Sequence, residues 1–167
     1  MATAWVIASA LLFQDALEKH EIGGTPNVHR RGRIFTAGQP KAEDFAIFRK
    51  EGVRVVLDLR RDEETPGFDE KAAVEAAGLE YVNLPVRGPG DLTDAAFERA
   101  RALLNVKDKP VLVHCASANR VGPFWIAWRA LDGRIPLEEA VEEARTIGLG
   151  SAAYEAKARA YVERNRR

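Results

Sequence analysis

Val111-Leu112-Val113-His114-Cys115-Ala116-Ser117-Ala118-Asn119-Arg120-Val121 carries an apolar run into a turn of small residues and then into an arginine. Uninterrupted apolar character over Val111–Val113 suits a strand covered on both faces of a parallel sheet. The chain must then turn through Ala116-Ser117-Ala118-Asn119, and a helix should begin near Arg120. In an open parallel sheet, ligand sites form beyond the carboxyl ends of the strands, where helices start, and Cys115 falls there. Backbone N–H groups of such a turn converge on the thiol, and the helix dipole favours its anion. The same donors, from Ala116, Ser117, Ala118, Asn119 and Arg120, hold a tetrahedral oxyanion. Arg120 adds a planar fork that grips two phosphate oxygens at once. Asn119 is the residue best suited to a positive φ in this loop.

Outward from this stretch the chain alternates apolar strands with amphipathic helices. Strands are expected at Ile34–Thr36, Val53–Leu59 and Glu80–Leu84, besides Val111–His114. Helices are expected at 42–51, ended by Gly52, at 70–77, ended by Gly78, and at 94–104 behind an N-cap at Thr93. Three more follow at 122–131, 137–147 and 152–164, with apolar residues three or four apart. The rhythm is that of an α/β domain with a central, mostly parallel sheet of four to five strands flanked by helices. Residues 1–27 read as an N-terminal apolar segment with a linker, and 28–167 as one domain.

The chain has 167 residues, 46% of them hydrophobic, enough for one domain with an ample core. Lys+Arg and Asp+Glu both number 25, so no charge excess recruits nucleic acid or an anionic membrane. Anion recognition must therefore be local. The single cysteine cannot close an intramolecular disulfide. Ala2–Phe13 is apolar, too short to span a bilayer, and reads either as a helix docked on the domain or as a signal peptide. The absence of a basic flank before it favours the docked helix and a cytoplasmic protein; a signal peptide would mean export.

The Cys115 stretch resembles the nucleophile loop of the bacterial protein-tyrosine-phosphatase-like family, whose fold is like that of dual-specificity phosphatases. Related families are the phosphatase-like domain of β-lactamase-hydrolase-like proteins and certain sulfurtransferases. Thr36-Ala37-Gly38-Gln39-Pro40, Val55-Val56-Leu57-Asp58-Leu59-Arg60 and Tyr81-Val82-Asn83-Leu84-Pro85-Val86 resemble the family's other landmarks in the same order. The resemblance implies a two-step phosphoryl transfer with Cys115 as nucleophile and Arg120 with the loop amides holding the phosphate. It requires neither metal nor cofactor, and its substrate is a phosphorylated or otherwise anionic molecule. It also implies an aspartic acid on a neighbouring loop, for which Asp91 is the candidate; Asp94 supports the helix that follows. His114 is an orienting residue, with Gln39 and Asp58 supporting the same pocket. Arg60-Arg61-Asp62-Glu63-Glu64 reads as a solvated charged face, and Trp125 with Trp128 as core.

Two departures bear on turnover. Four residues separate Cys115 from Arg120 where phosphatases of this kind have five, a spacing shared with rhodanese-like sulfurtransferases that carry a cysteine persulfide. Val121 stands where a hydroxyl residue often helps the thiolate leave. Sulfur transfer and a non-catalytic anion-binding module therefore remain beside phosphoester hydrolysis.

Overall fold

A computed structural model describes residues 16–64 and 67–166. The apolar segment at 2–13, with its two readings, lies outside the described residues. The strands are β1 (Glu18–Lys19), β2 (His29–Arg31), β3 (Ile34–Ala37), β4 (Val55–Asp58), β5 (Glu80–Asn83) and β6 (Val111–His114). The helices are α1 (Asp44–Lys50), α2 (Glu70–Ala76), α3 (Asp94–Leu104), α4 (Val121–Leu131), α5 (Leu137–Ile147) and α6 (Ala152–Asn165). Gly52 and Gly78 follow α1 and α2 with φ of +100° and +75°, the left-handed geometry that ends a helix. Thr93 caps α3 by accepting from the Ala96 amide at 3.2 Å.

The six strands form one sheet in the order β1-β2-β3-β6-β4-β5. The pairs β3–β6, β6–β4 and β4–β5 are parallel, and they are the four strands the apolar pattern indicates. Beyond them, β1 and β2 extend the sheet antiparallel at the β3 edge, so it exceeds the expected four to five strands. Residues 18–27, read as linker from the sequence, contribute to this sheet edge: the His20 amide donates to the Val28 carbonyl at 2.9 Å, and Ile22 is buried beside Val28 in the same core.

Alternation along each strand divides the interior in two. One core receives Val55, Leu57, Val111, Val113 and Cys115 and packs against α3, α4, α5 and α6. The other receives Phe35, Val56 and Leu112 and packs against α1 and α2 through Phe45, Phe48 and Val74. His114 and Asp58 lie directly across from each other at the ends of β6 and β4, so their side chains share the second face while Cys115 belongs to the first. Trp125 is fully buried as expected of core; Trp128 is half-buried and donates to Asn105 Oδ1 at 3.0 Å. Among the described residues, no helix is long and apolar enough to cross a membrane.

Candidate active site

Cys115 directly follows β6, and Arg120 is the N-cap of α4, so strand and helix fix both ends of the intervening loop. The loop carbonyls turn into the protein. Ala116 O accepts from Gln39 N at 3.1 Å, Ala118 O from Val121 N at 3.1 Å, and Asn119 O from Gly122 N at 3.3 Å. The amides of Ala116, Ser117, Ala118, Asn119 and Arg120 have no protein acceptor among the described residues. Carbonyls engaged with the protein and unengaged amides beside a helix N-terminus make a nest for an oxyanion.

Positive φ falls on Ala118, at +70°, and not on Asn119 as its chemistry suggested. Asn119 is used elsewhere: its Oδ1 accepts from Gly150 N at 2.9 Å and Ser151 N at 3.2 Å, tying the loop to the corner between α5 and α6. That asparagine holds the loop through its side chain and leaves only its amide for an anion. Close approach tightens the loop from the other side. A Cβ on Gly38 would stand 3.0 Å from Ala116 O and 2.9 Å from Pro26 Cγ.

Arg120 is held by Glu64, with Nη1 2.7 Å from Oε1 and Nη2 2.6 Å from Oε2. Nη1 also donates to the carbonyls of Val86, at 3.2 Å, and Leu59, at 3.4 Å. These contacts occupy Nη1 and one hydrogen of Nη2, leaving the Nε edge for an oxyanion. The hydrogen bond to Glu64 is the main reason that Arg120 keeps its proton more tightly than an ordinary arginine; burial opposes it and the Cys115 sulfur adds to it. Arg120 in turn pulls the Glu64 carboxyl down to about 2, with Arg61 contributing. Glu64 was read as part of a solvated charged face; it is instead the anchor of the arginine.

The same segment corrects Arg60. It is buried, and its guanidinium reaches Asp58 Oδ1 at 3.0 Å, Asp58 Oδ2 at 2.9 Å and Glu70 Oε2 at 2.7 Å. Burial alone would lower the Arg60 pKa, but the Asp58 hydrogen bond and the charges of Asp58 and Glu70 raise it overall. Asp58 also accepts from Tyr81 Oη at 2.9 Å; burial first, then the Asp58 charge, push that phenol well above an ordinary tyrosine. Asp58, Arg60, Glu64 and Glu70 border a cleft of ≈ 550 Å³ whose lining includes no residue of the 115–120 loop. Asp58, Glu70 and His114 offer metal-type ligand atoms within 4.8 Å of one another. Arg60 already supplies a positive charge to both carboxylates, so a divalent ion there would leave a buried net positive charge.

Asp91 ends the 3₁₀ turn Pro89–Asp91 in the loop between β5 and α3. Its Oδ2 accepts from Arg87 N at 2.6 Å, which fixes the carboxylate against its own turn. The loop begins beside Arg120, through the Val86 carbonyl. Thus the structure brings together Cys115, Ala116–Arg120, His114, Asp58 and Gln39, with Asp91 on the bordering loop. Glu64 and Glu70 are the contributors that sequence reading missed. Glu64 meets Arg120 across a separation of 56 residues, and neither acid carries a local pattern to mark it.

Comparison with known proteins agrees with this geometry. Over 120 residues the chain is 32% identical to a beta-lactamase hydrolase-like protein of Agrobacterium fabrum, covering 70% of this chain and 28% of that protein. It is 34% identical over 126 residues to the beta-lactamase hydrolase-like protein of Xylella fastidiosa, covering 72% and 29%. The chain thus spans less than a third of the length of these relatives. The fold is that of TpbA from P. aeruginosa, with a TM-score of 0.70 at 23% identity over 91% of both chains. It is equally that of the core catalytic domain of a PP-IP phosphatase from S. cerevisiae, with a TM-score of 0.71 at 18% identity over 84% and 88%. Residues 33–132 match the family described as the phosphatase-like domain of beta-lactamase hydrolase-like protein, and with a cysteine-to-arginine anion loop at the end of a central parallel strand, the chain belongs to that family.

Proposed function

We propose that the protein hydrolyses a phosphoester through a cysteinyl-phosphate on Cys115. The observation that carries this reading is the loop itself: Cys115 and loop amides with no protein acceptor among the described residues, beside an arginine pinned by Glu64 and coupled to the Cys115 sulfur. In the first step the Cys115 thiolate forms a bond to phosphorus as the ester P–O bond breaks, and Asp91 gives its proton to the departing oxygen. In the second, Asp91 takes a proton from water, whose oxygen attacks phosphorus; inorganic phosphate leaves and the thiolate is restored. Arg120 and the loop amides hold the equatorial oxygens, which gain charge on the way to each transition state. TpbA has been solved in complex with phosphotyrosine, and a phosphorylated tyrosine or small aryl ester is the substrate class proposed here.

Purified protein should hydrolyse a generic aryl phosphate in a vanadate-sensitive reaction that Cys115→Ser abolishes. No hydrolysis by wild-type protein between pH 5 and 8 would sink the reading. Sulfur transfer is favoured by one observation, the four-residue spacing from Cys115 to Arg120. It predicts cyanide-dependent thiocyanate release from thiosulfate, measured on the same two proteins.

A further inference from the structure

Glu70, in the first turn of α2, is 5% exposed and touches no reacting group, yet three lines of contact run from it into the phosphate loop. The first reaches the nucleophile's neighbour. Glu70 Oε1 lies 2.8 Å from His114 Nε2, off the line of the ring N–H, a close polar contact between two buried side chains. His114 is fully buried, and its main-chain carbonyl is fixed by Leu59 N at 3.0 Å. The second reaches the loop's first carbonyl. Glu70 Oε2 accepts from Gln39 Nε2 at 2.6 Å, and the Gln39 amide donates to Ala116 O. The third reaches the arginine. Glu70 Oε2 also accepts from Arg60 Nη2, Arg60 Nη1 donates to the Glu64 carbonyl at 2.7 Å, and the Glu64 carboxylate holds Arg120.

We propose that Glu70 is a positioning residue for this site: one buried carboxylate sets the nucleophile's strand end, the first loop carbonyl and the anchor of Arg120 together. The proposal rests on the anion-loop reading above. A residue that acts by its charge and one that acts by position differ in sign here. Removing a negative charge near an anion site tightens anion binding by simple electrostatics. Loosening the loop weakens it, because the amides and the Arg120 edge lose their common focus.

The test is protection of Cys115 from iodoacetamide by inorganic phosphate in wild type and Glu70→Gln, with aryl phosphate hydrolysis and thermal melting of each. In the variant the half-protecting phosphate concentration should rise about fivefold or more, the consequence of roughly one lost hydrogen bond. The hydrolysis rate constant kcat should fall about tenfold or more, as expected for displaced groups. A folded variant with unchanged or tighter phosphate protection overturns the proposal. If Glu70→Gln shows no cooperative melt, Gln39→Leu removes the second line alone. It should raise the half-protecting concentration about twofold or more, and an unchanged value overturns the proposal. Wild-type protection without turnover would sink hydrolysis and leave the positioning test intact. Wild-type protein that phosphate does not protect sinks both.

Discussion

A guanidinium has five N–H donors, and the way Arg120 divides them decides what Glu64 does. Two oxygens of Glu64 and two main-chain carbonyls fix the Nη1 end, so the Nε edge meets an anion without first having to be ordered. Glu64→Gln keeps the shape and removes the charge. It should lower kcat/KM about tenfold to a hundredfold and stability by about 1–3 kcal/mol, read by steady-state kinetics and urea unfolding. The pH dependence follows from the depressed carboxyl. Its folded value of about 2 lies below the ordinary 4.5, so the stability it confers is complete above pH 4.5 and lost as pH falls through about 2. The stability gap between wild type and Glu64→Gln should therefore close across that window, and a gap that persists at pH 2 would refute the ion pair. Asp91→Asn should reduce kcat about 10²-fold or more, least for aryl esters with the best leaving groups. Val121 offers no hydroxyl to assist thiolate departure, so the second step should be slow and the first turnover should show a burst of released alcohol in stopped-flow traces.

At the scale of elements, the apolar periodicities of β3, β4, β5, β6 and all six helices were legible in the sequence, because each buries a face whose spacing survives in the residue order. Strands β1 and β2 were not. They are two and three residues long, and Glu18-Lys19 and Arg30-Arg31 look like any solvated segment until β3 provides a partner. The site divides the same way. Cys115 and Arg120 announce themselves by spacing; Glu64 and Glu70 do not, since a carboxylate that finds its arginine through the fold has the same local sequence as one facing water. Three substitutions test how the elements are held. A Cβ on Gly122 would stand 2.6 Å from Leu149 Cβ, which its own backbone holds in place. Gly122→Ala should cost about 1–3 kcal/mol through overpacking, more than its gain in helix propensity returns. Gly90→Ala, with nothing within 4 Å of the added Cβ, should stay within about 0.5 kcal/mol on urea unfolding. Thr93→Ala, which removes the cap of α3, should cost about 1 kcal/mol.

For the whole molecule, the site lies on the boundary between two cores. Cys115 completes the one packed by α3 to α6, while His114 and Asp58 face the one packed by α1 and α2. The order of strands in space adds something that no contact around the loop contains. β3 and β4 do not pair with each other; the strand between them is β6, whose residues come more than fifty positions after β4 in the chain. The inner edges of β3 and β4 therefore have no sheet partner until the strand that ends at Cys115 inserts between them. Closing the sheet and placing the nucleophile are then one event. Burial of Cys115 during refolding should therefore report the arrival of the native topology.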